Sequence, residues 1–145
     1  MSDPQQYPVV VGVDGSPASR MALRWAHWQA QLAGGEITAL MAWDYPLIYS
    51  WHVPGLENFA DSTAEALATV LEEVIGDDPA VTVHKEVAQG HPARALLDSA
   101  GEKGARLLVV GNRGHGGFTG ALLGSISQHC VHHASCPVVV VRDEQ

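Results

Sequence analysis

The stretch Gly111 to Ser127 reads GNRGHGGFTGALLGSIS. The apolar run before it, Ala105 to Val110, is bounded by Gly104 and Gly111 and reads as a buried strand. The run from Ser125 to Ala134 fits a short helix. Between strand and helix fall Gly111, Gly114, Gly116, Gly117, Gly120 and Gly124. Glycine reaches positive φ without strain and lets a ligand approach the backbone. A glycine-rich strand-to-helix connection therefore presents several backbone N–H groups. The helix start adds unpaired donors and the positive end of its dipole. This combination suits an anion, most often a phosphate. Ser125 and Ser127 add hydroxyls, and Arg113 and His115 add positive charge at the rim. Glycine content alone leaves an ordinary flexible loop open as the alternative. The stretch contains no lysine, so G-x-x-x-x-G-K-[ST] is absent. Gly114-His-Gly116-Gly-Phe-Thr119 ends in threonine, which breaks G-x-G-x-x-G.

Working outward, the chain alternates strand and helix. Val9 to Val13 is a continuous apolar run, as suits a strand buried on both faces. It ends in Asp14-Gly-Ser-Pro17, where Ser16 is a good N-cap and Pro17 a good first helical residue. The helix is expected to reach Ala33 with Met21, Ala22, Trp25, Ala26 and Leu32 on its apolar stripe, stopping at Gly34-Gly35. Ile37 to Trp43 is the second strand. Ala60 to Ile75 is helical by pattern, with Ala64, Leu67, Ala68, Leu71 and Val74 on one face. Val81 to Val87 alternates as a half-exposed strand does. Pro92 opens a helix to about Lys103, and Pro137 to Val141 is the last strand.

The order β-α-β-α-β-α-β-α-β predicts an α/β fold with a doubly wound, five-stranded parallel sheet and about four helices. In the flavodoxin-like order 3-2-1-4-5 the first and fourth strands are neighbours, and the winding reverses between them. Ligands of such folds bind outside the carboxyl ends of the strands at that point. The segments leaving those two ends are Asp14 to Ser16 and Gly111 to Ser125. Asp44 to Phe59 is the one irregular stretch, longer than the usual connection of about 4–6 residues. Its Tyr45, Tyr49, Trp51 and Phe59 suit a lid, a partner surface or a loop packing its own aromatics.

A chain of 145 residues is expected to form one domain, burying about 68–70% of its unfolded surface. Hydrophobic residues at 46% and charged ones at 17% are those of a soluble globular protein. The net charge of −8 argues against nonspecific binding to nucleic acid or anionic membrane, so local donors must hold any anionic ligand. The start lacks a signal-like pattern, no apolar run is long enough to span a membrane, and two cysteines do not make a disulfide framework. The expected location is the cytoplasm.

The spacing Gly111, Gly114, Gly124, Ser125 fits G-x2-G-x9-G-[ST] and resembles the ATP-binding branch of the universal stress protein family. The likeness covers nearly the whole chain. Val11-Gly-Val-Asp-Gly-Ser16 resembles the family's opening motif, Gly90-His-Pro-Ala93 its third-helix start, and His132-His-Ala-Ser-Cys-Pro-Val138 its approach to the last strand. By this resemblance Asp14 and the backbone near Val13 and Ala42 contact adenine and ribose. Gly111, Asn112, Gly114, Gly124 and Ser125 hold ribose and phosphates, with Ile126 and Ser127 beside them. Gly12, Gly15 and Ser16 of the first turn and Val110, Arg113, His115 and Gly116 of the second complete the candidate set. The implied ligand is ATP, with Mg2+ bridging its phosphates. The implied assembly is a homodimer paired through the last strand, Cys136 to Arg142. Segment 44–59 is the least family-like part, and no role is carried onto it.

Other chemistry finds little support. Cys130, His132, His133 and Cys136 suggest zinc or copper by composition. Helical spacing, however, turns Cys130 and His132 about 200° apart, so no metal site is expected there. There is no G-x-S-x-G elbow and no evident base to direct water at a phosphate, so no catalytic residue is assigned. Two functions remain: a nucleotide-dependent regulatory or stress-response protein with little or no turnover, and a slow ATPase or cyclic-nucleotide binder of the same fold.

Overall fold

The computed structural model describes residues 7–43, 59–113 and 123–143. In chain order the elements are β1 (Pro8–Gly12), α1 (Pro17–Ala33), β2 (Glu36–Trp43), α2 (Phe59–Val74), β3 (Thr82–Gln89), α3 (Pro92–Lys103), β4 (Leu107–Gly111), α4 (Ser125–His133) and β5 (Val138–Val141). The five strands form one parallel sheet in the order β3-β2-β1-β4-β5, as the alternation of elements predicts.

Val9, Val10 and Val11 are buried on both sides, which explains their unbroken apolar run. Val9 and Val11 face a layer containing Ala22, Leu23 and Ala26 of α1 and Leu67 and Leu71 of α2. Val10 faces the other layer, with Ala93, Leu96 and Ala100 of α3 and Cys130 of α4. Val10 sits between Thr38 of β2 and Leu108 of β4 in register. Helices thus cover both faces, and the winding reverses between β1 and β4.

Several element faces differ from expectation. The buried side of α1 is a four-residue repeat of small residues, Ala18, Ala22, Ala26 and Ala30, with Leu23. Leu32, expected in that stripe, is 69% exposed because it lies about 200° round the helix from Ala30. The larger set Leu67, Val70 and Leu71 fixes the face of α2, and Ala64 is exposed. Phe59, expected at the end of the irregular segment, already belongs to α2 and packs edge-on against Trp43 with ring centroids 6.1 Å apart. The rest of that segment, 44–58, lies outside the described residues. β1 ends one residue early, leaving Val13 in the turn, where its N–H donates to the Leu40 carbonyl at 2.9 Å. β3 runs from Thr82, with Val81 buried just ahead of it.

Candidate functional site

The turn after β1 is built by its own side chains. The Ser16 N–H donates to Asp14 Oδ1 at 2.8 Å, the turn chemistry that aspartate favours, and Gly15 takes φ 81°. Ser16 caps α1 by accepting the Ser19 N–H at 3.3 Å. The Ser19 hydroxyl accepts the Asp14 N–H at 3.2 Å and donates to the Ser16 carbonyl at 3.1 Å. Asp14 is therefore held in one place by the first turn of α1.

The exit of β4 is built differently. Gly111 has almost no room beside α1: a Cβ there would lie 2.7 Å from the Ala18 carbonyl carbon and 2.8 Å from its Cβ. Beyond it, Asn112 is buried, and its N–H donates to the Val141 carbonyl at 2.8 Å. Its carbonyl accepts the Gly124 N–H at 2.7 Å and the Ser127 hydroxyl at 3.3 Å. These bonds bring the start of α4 against the end of β4, across the connection that separates them in sequence. Gly124 is the N-cap of α4 and makes no side-chain cap. The first N–H groups of α4 have no intrahelical partner, so its positive end opens on this region.

Between the two exits lies a cleft of about 490 Å³. Gly12 lines it from the end of β1, Val13 and Asp14 from the turn that follows, Ala42 from β2, and Val110 and Gly111 from β4. Gly124, Ser125, Ile126 and Ser127 close it from α4, with Arg113 beside them. These are the positions singled out in the sequence, brought together at the reversal of winding. Gly15, Ser16 and Asn112 are not among the lining residues: Ser16 is committed to its cap, and the Asn112 side chain turns toward β5, accepting the Asp143 N–H at 3.3 Å. Gly114, His115 and Gly116 lie outside the described residues.

Two candidates carry additional duties. Ser127 is buried, and its one hydroxyl proton is shared between the Asn112 carbonyl at 3.3 Å and the Gly124 carbonyl at 3.0 Å, which ties down the first turn of α4. Arg113, expected as positive charge at the rim, is paired with Asp143 at 2.9 Å, and both side chains are largely covered. The guanidinium hydrogen bond holds the Asp143 carboxyl below its ordinary value.

The cleft also takes in Ser19, Leu40, Pro92 and Leu96, none of which sequence reasoning placed in the site. Leu40 is two residues before Ala42 on the same strand face, and Pro92 and Leu96 are one helical turn apart on α3. Strand and helix periodicity would have found them once Ala42 and the start of α3 were placed together.

No described helix is long and apolar enough to cross a membrane. Residues 7–142 match the profile of the universal stress protein family. A universal stress protein of Mycobacterium tuberculosis is 40% identical over 144 residues, covering 97% of this chain and 47% of its own length. The chain thus spans about half the length of the curated relatives it matches. Among solved structures, the universal stress protein UspA from Lactobacillus plantarum superposes with a TM-score of 0.75 at 26% identity, covering 94% of this chain and 97% of that one. A universal stress protein in complex with cAMP gives a TM-score of 0.66 at 25% identity, over 95% of this chain and 98% of that one. With its sheet order, its strand-exit cleft and these likenesses together, the chain belongs to the universal stress protein family.

Proposed function

We propose that the cleft binds an adenine nucleotide, ATP, as a regulatory ligand, and that the protein acts in a stress response with little or no turnover. The observation that carries this reading is the start of α4. Its N-cap has no side-chain partner, its first turn lines the cleft, and the opposite wall carries Asp14. Unpaired helix donors suit phosphate, and a carboxylate suits a ribose hydroxyl or an adenine amine. Small residues between them, Gly12, Ala42 and Gly111, leave the width that a flat base needs. A volume of about 490 Å³ lies in the ordinary range for small-molecule sites. The complex of a similar protein with cAMP supports an adenine nucleotide and keeps a cyclic nucleotide as the second reading. Mg2+ accompanying ATP would offset the charge of its phosphates, and Asp14 and Ser125 are oxygen-bearing side chains of the two cleft walls that would hold it.

Calorimetric titration with ATP, AMP and cAMP tests this directly, with ATP expected to bind most tightly. Absence of binding by all three overturns the proposal, and preference for cAMP selects the second reading. Phosphate release is expected to stay below about 1 s⁻¹, the low end of kinase-like rates, because among the described residues no lysine lines the cleft and none stands out as a base beside the start of α4. Sustained release above that rate makes the protein an ATPase.

The same reading extends to assembly. β5 is an edge strand, and all four of its valines, Val138 to Val141, are only half-buried. An apolar edge of this kind is a template for pairing with another chain. An isologous two-fold pairing through β5 would cover it. Val140→Lys is expected to convert a dimer to a monomer in light scattering at micromolar concentration. A wild-type protein already monomeric there overturns the pairing.

A further inference from the structure

The fold assembles a group of histidines that shares only His133 with the Cys130, His132, His133 and Cys136 cluster that suggests metal by composition. His129 and His133, four residues apart on α4, have ring centroids 4.6 Å apart. His91, at the start of α3, approaches them from the neighbouring helix, with its ring 6.0 Å from that of His129. All three are exposed. Cys130 and Cys136 stay apart from this chemistry: burial, with Cys136 nearby, pushes the Cys130 thiol up to about 11, and burial also raises Cys136. Neither supplies a ready thiolate at neutral pH.

We propose that His129 and His133 form a two-nitrogen site for a borderline divalent transition metal, Cu2+ or Zn2+. Side chains at i and i+4 leave a helix on one face. Two imidazoles bound in cis to one ion at about 2.0–2.1 Å place their ring centroids about 4.5–5 Å apart, close to the separation seen. The ligand set is nitrogen only, which favours Cu2+ over Zn2+ and gives a soft monovalent ion no sulfur to hold. The net charge of −8 draws cations toward the surface.

His91 is a neighbour of this site and not a ligand. Its Nδ1 accepts the Ala93 N–H at 3.2 Å and so caps α3. A metal-bound imidazole carries its proton on the other nitrogen. Coordination through Nε2 would put that proton on Nδ1 and break the cap. Among the described residues no set of three His, Cys, Asp or Glu side chains is arranged to close on one ion. The proposed site therefore has two protein ligands and leaves its remaining positions to water.

Calorimetric titration of the whole chain with Cu2+ and then Zn2+ tests this. The expected result is one site, tighter for Cu2+, weakened at least about 10-fold by either His129→Ala or His133→Ala. His91→Ala and His132→Ala should leave the affinity within about 3-fold of wild type. Because all four positions are exposed, each variant should keep its fold, checked by its melt. The proposal fails if neither metal binds, if His129→Ala and His133→Ala bind as wild type does, or if His91→Ala loses as much affinity as they do.

Discussion

Replacing Gly111 by valine is expected to lower the melting temperature by roughly 10 °C in protein free of nucleotide, a loss of about 3 kcal/mol. The cause is space. Gly111 is not in the left-handed region. A Cβ at this position would press on backbone and side-chain atoms of Ala18, all within 3.0 Å, and the first turn of α1 is fixed by the Ser16 cap. Backbone contacts of that kind are relieved only by moving α1 away from β4, which breaks the packing of the helix on the sheet. The branched side chain adds to the displacement. Alanine at the same position should have a smaller effect in the same direction. Gly124→Ala is the informative contrast: its Cβ would meet Arg113 Cα at 3.2 Å and the Asn112 carbonyl oxygen at 3.3 Å, tight contacts that shifts of a few tenths of an ångström relieve. A thermal melt of the three variants without ligand checks the order, valine at 111 worst and alanine at 124 mildest. An unchanged melt for Gly111→Val would show that the two elements do not meet as closely as described.

Glycine at 111 also marks where sequence reasoning reaches and where it stops. Gly111 stands out in the sequence as part of a phosphate-type loop, and it does line the cleft. What demands glycine there is helix α1, nearly a hundred residues earlier, a contact that no local pattern encodes. The sheet order was legible because alternating strands and helices leave few right-handed windings. The cleft was legible because its walls are the two segments leaving the neighbouring strands β1 and β4. Faces set by weak signals were less so. Four alanines define the buried side of α1, while the eye is drawn to the larger Leu32. Arg113 looks like free positive charge in the sequence, and only the return of the chain after β5 supplies Asp143 as its partner. The His91–His129 approach depends on α3 and α4 sharing a face, which spacing along either helix cannot report.

The largest effect on ligand binding is expected from Ala42→Trp, a loss of at least about 100-fold in nucleotide affinity, or about 2.7 kcal/mol. Ala42 lies one residue from the end of β2, paired with Ala88 of β3, and contributes one of the small surfaces of the cleft. Its side-chain direction follows that of Leu40, two residues earlier on the same strand face. An indole at that position would occupy much of a space of about 490 Å³, between the small floor residues and the first turns of α3 and α4. Because Ala42 is only half-buried and borders open space, the added ring should be accommodated at the expense of the ligand and not of the core. The variant should therefore melt cooperatively, close to wild type, when no nucleotide is present. ATP at about 100 times its dissociation constant should stabilise the wild type by about 2.7 kcal/mol, a shift of roughly 5–10 °C. Ala42→Trp should lose that shift. Wild-type affinity in a well-folded Ala42→Trp protein would place the nucleotide elsewhere. A variant that loses both its shift and its cooperative melt would instead assign Ala42 to the core, and Ala42→Leu, which adds less bulk at the same point, would then carry the test.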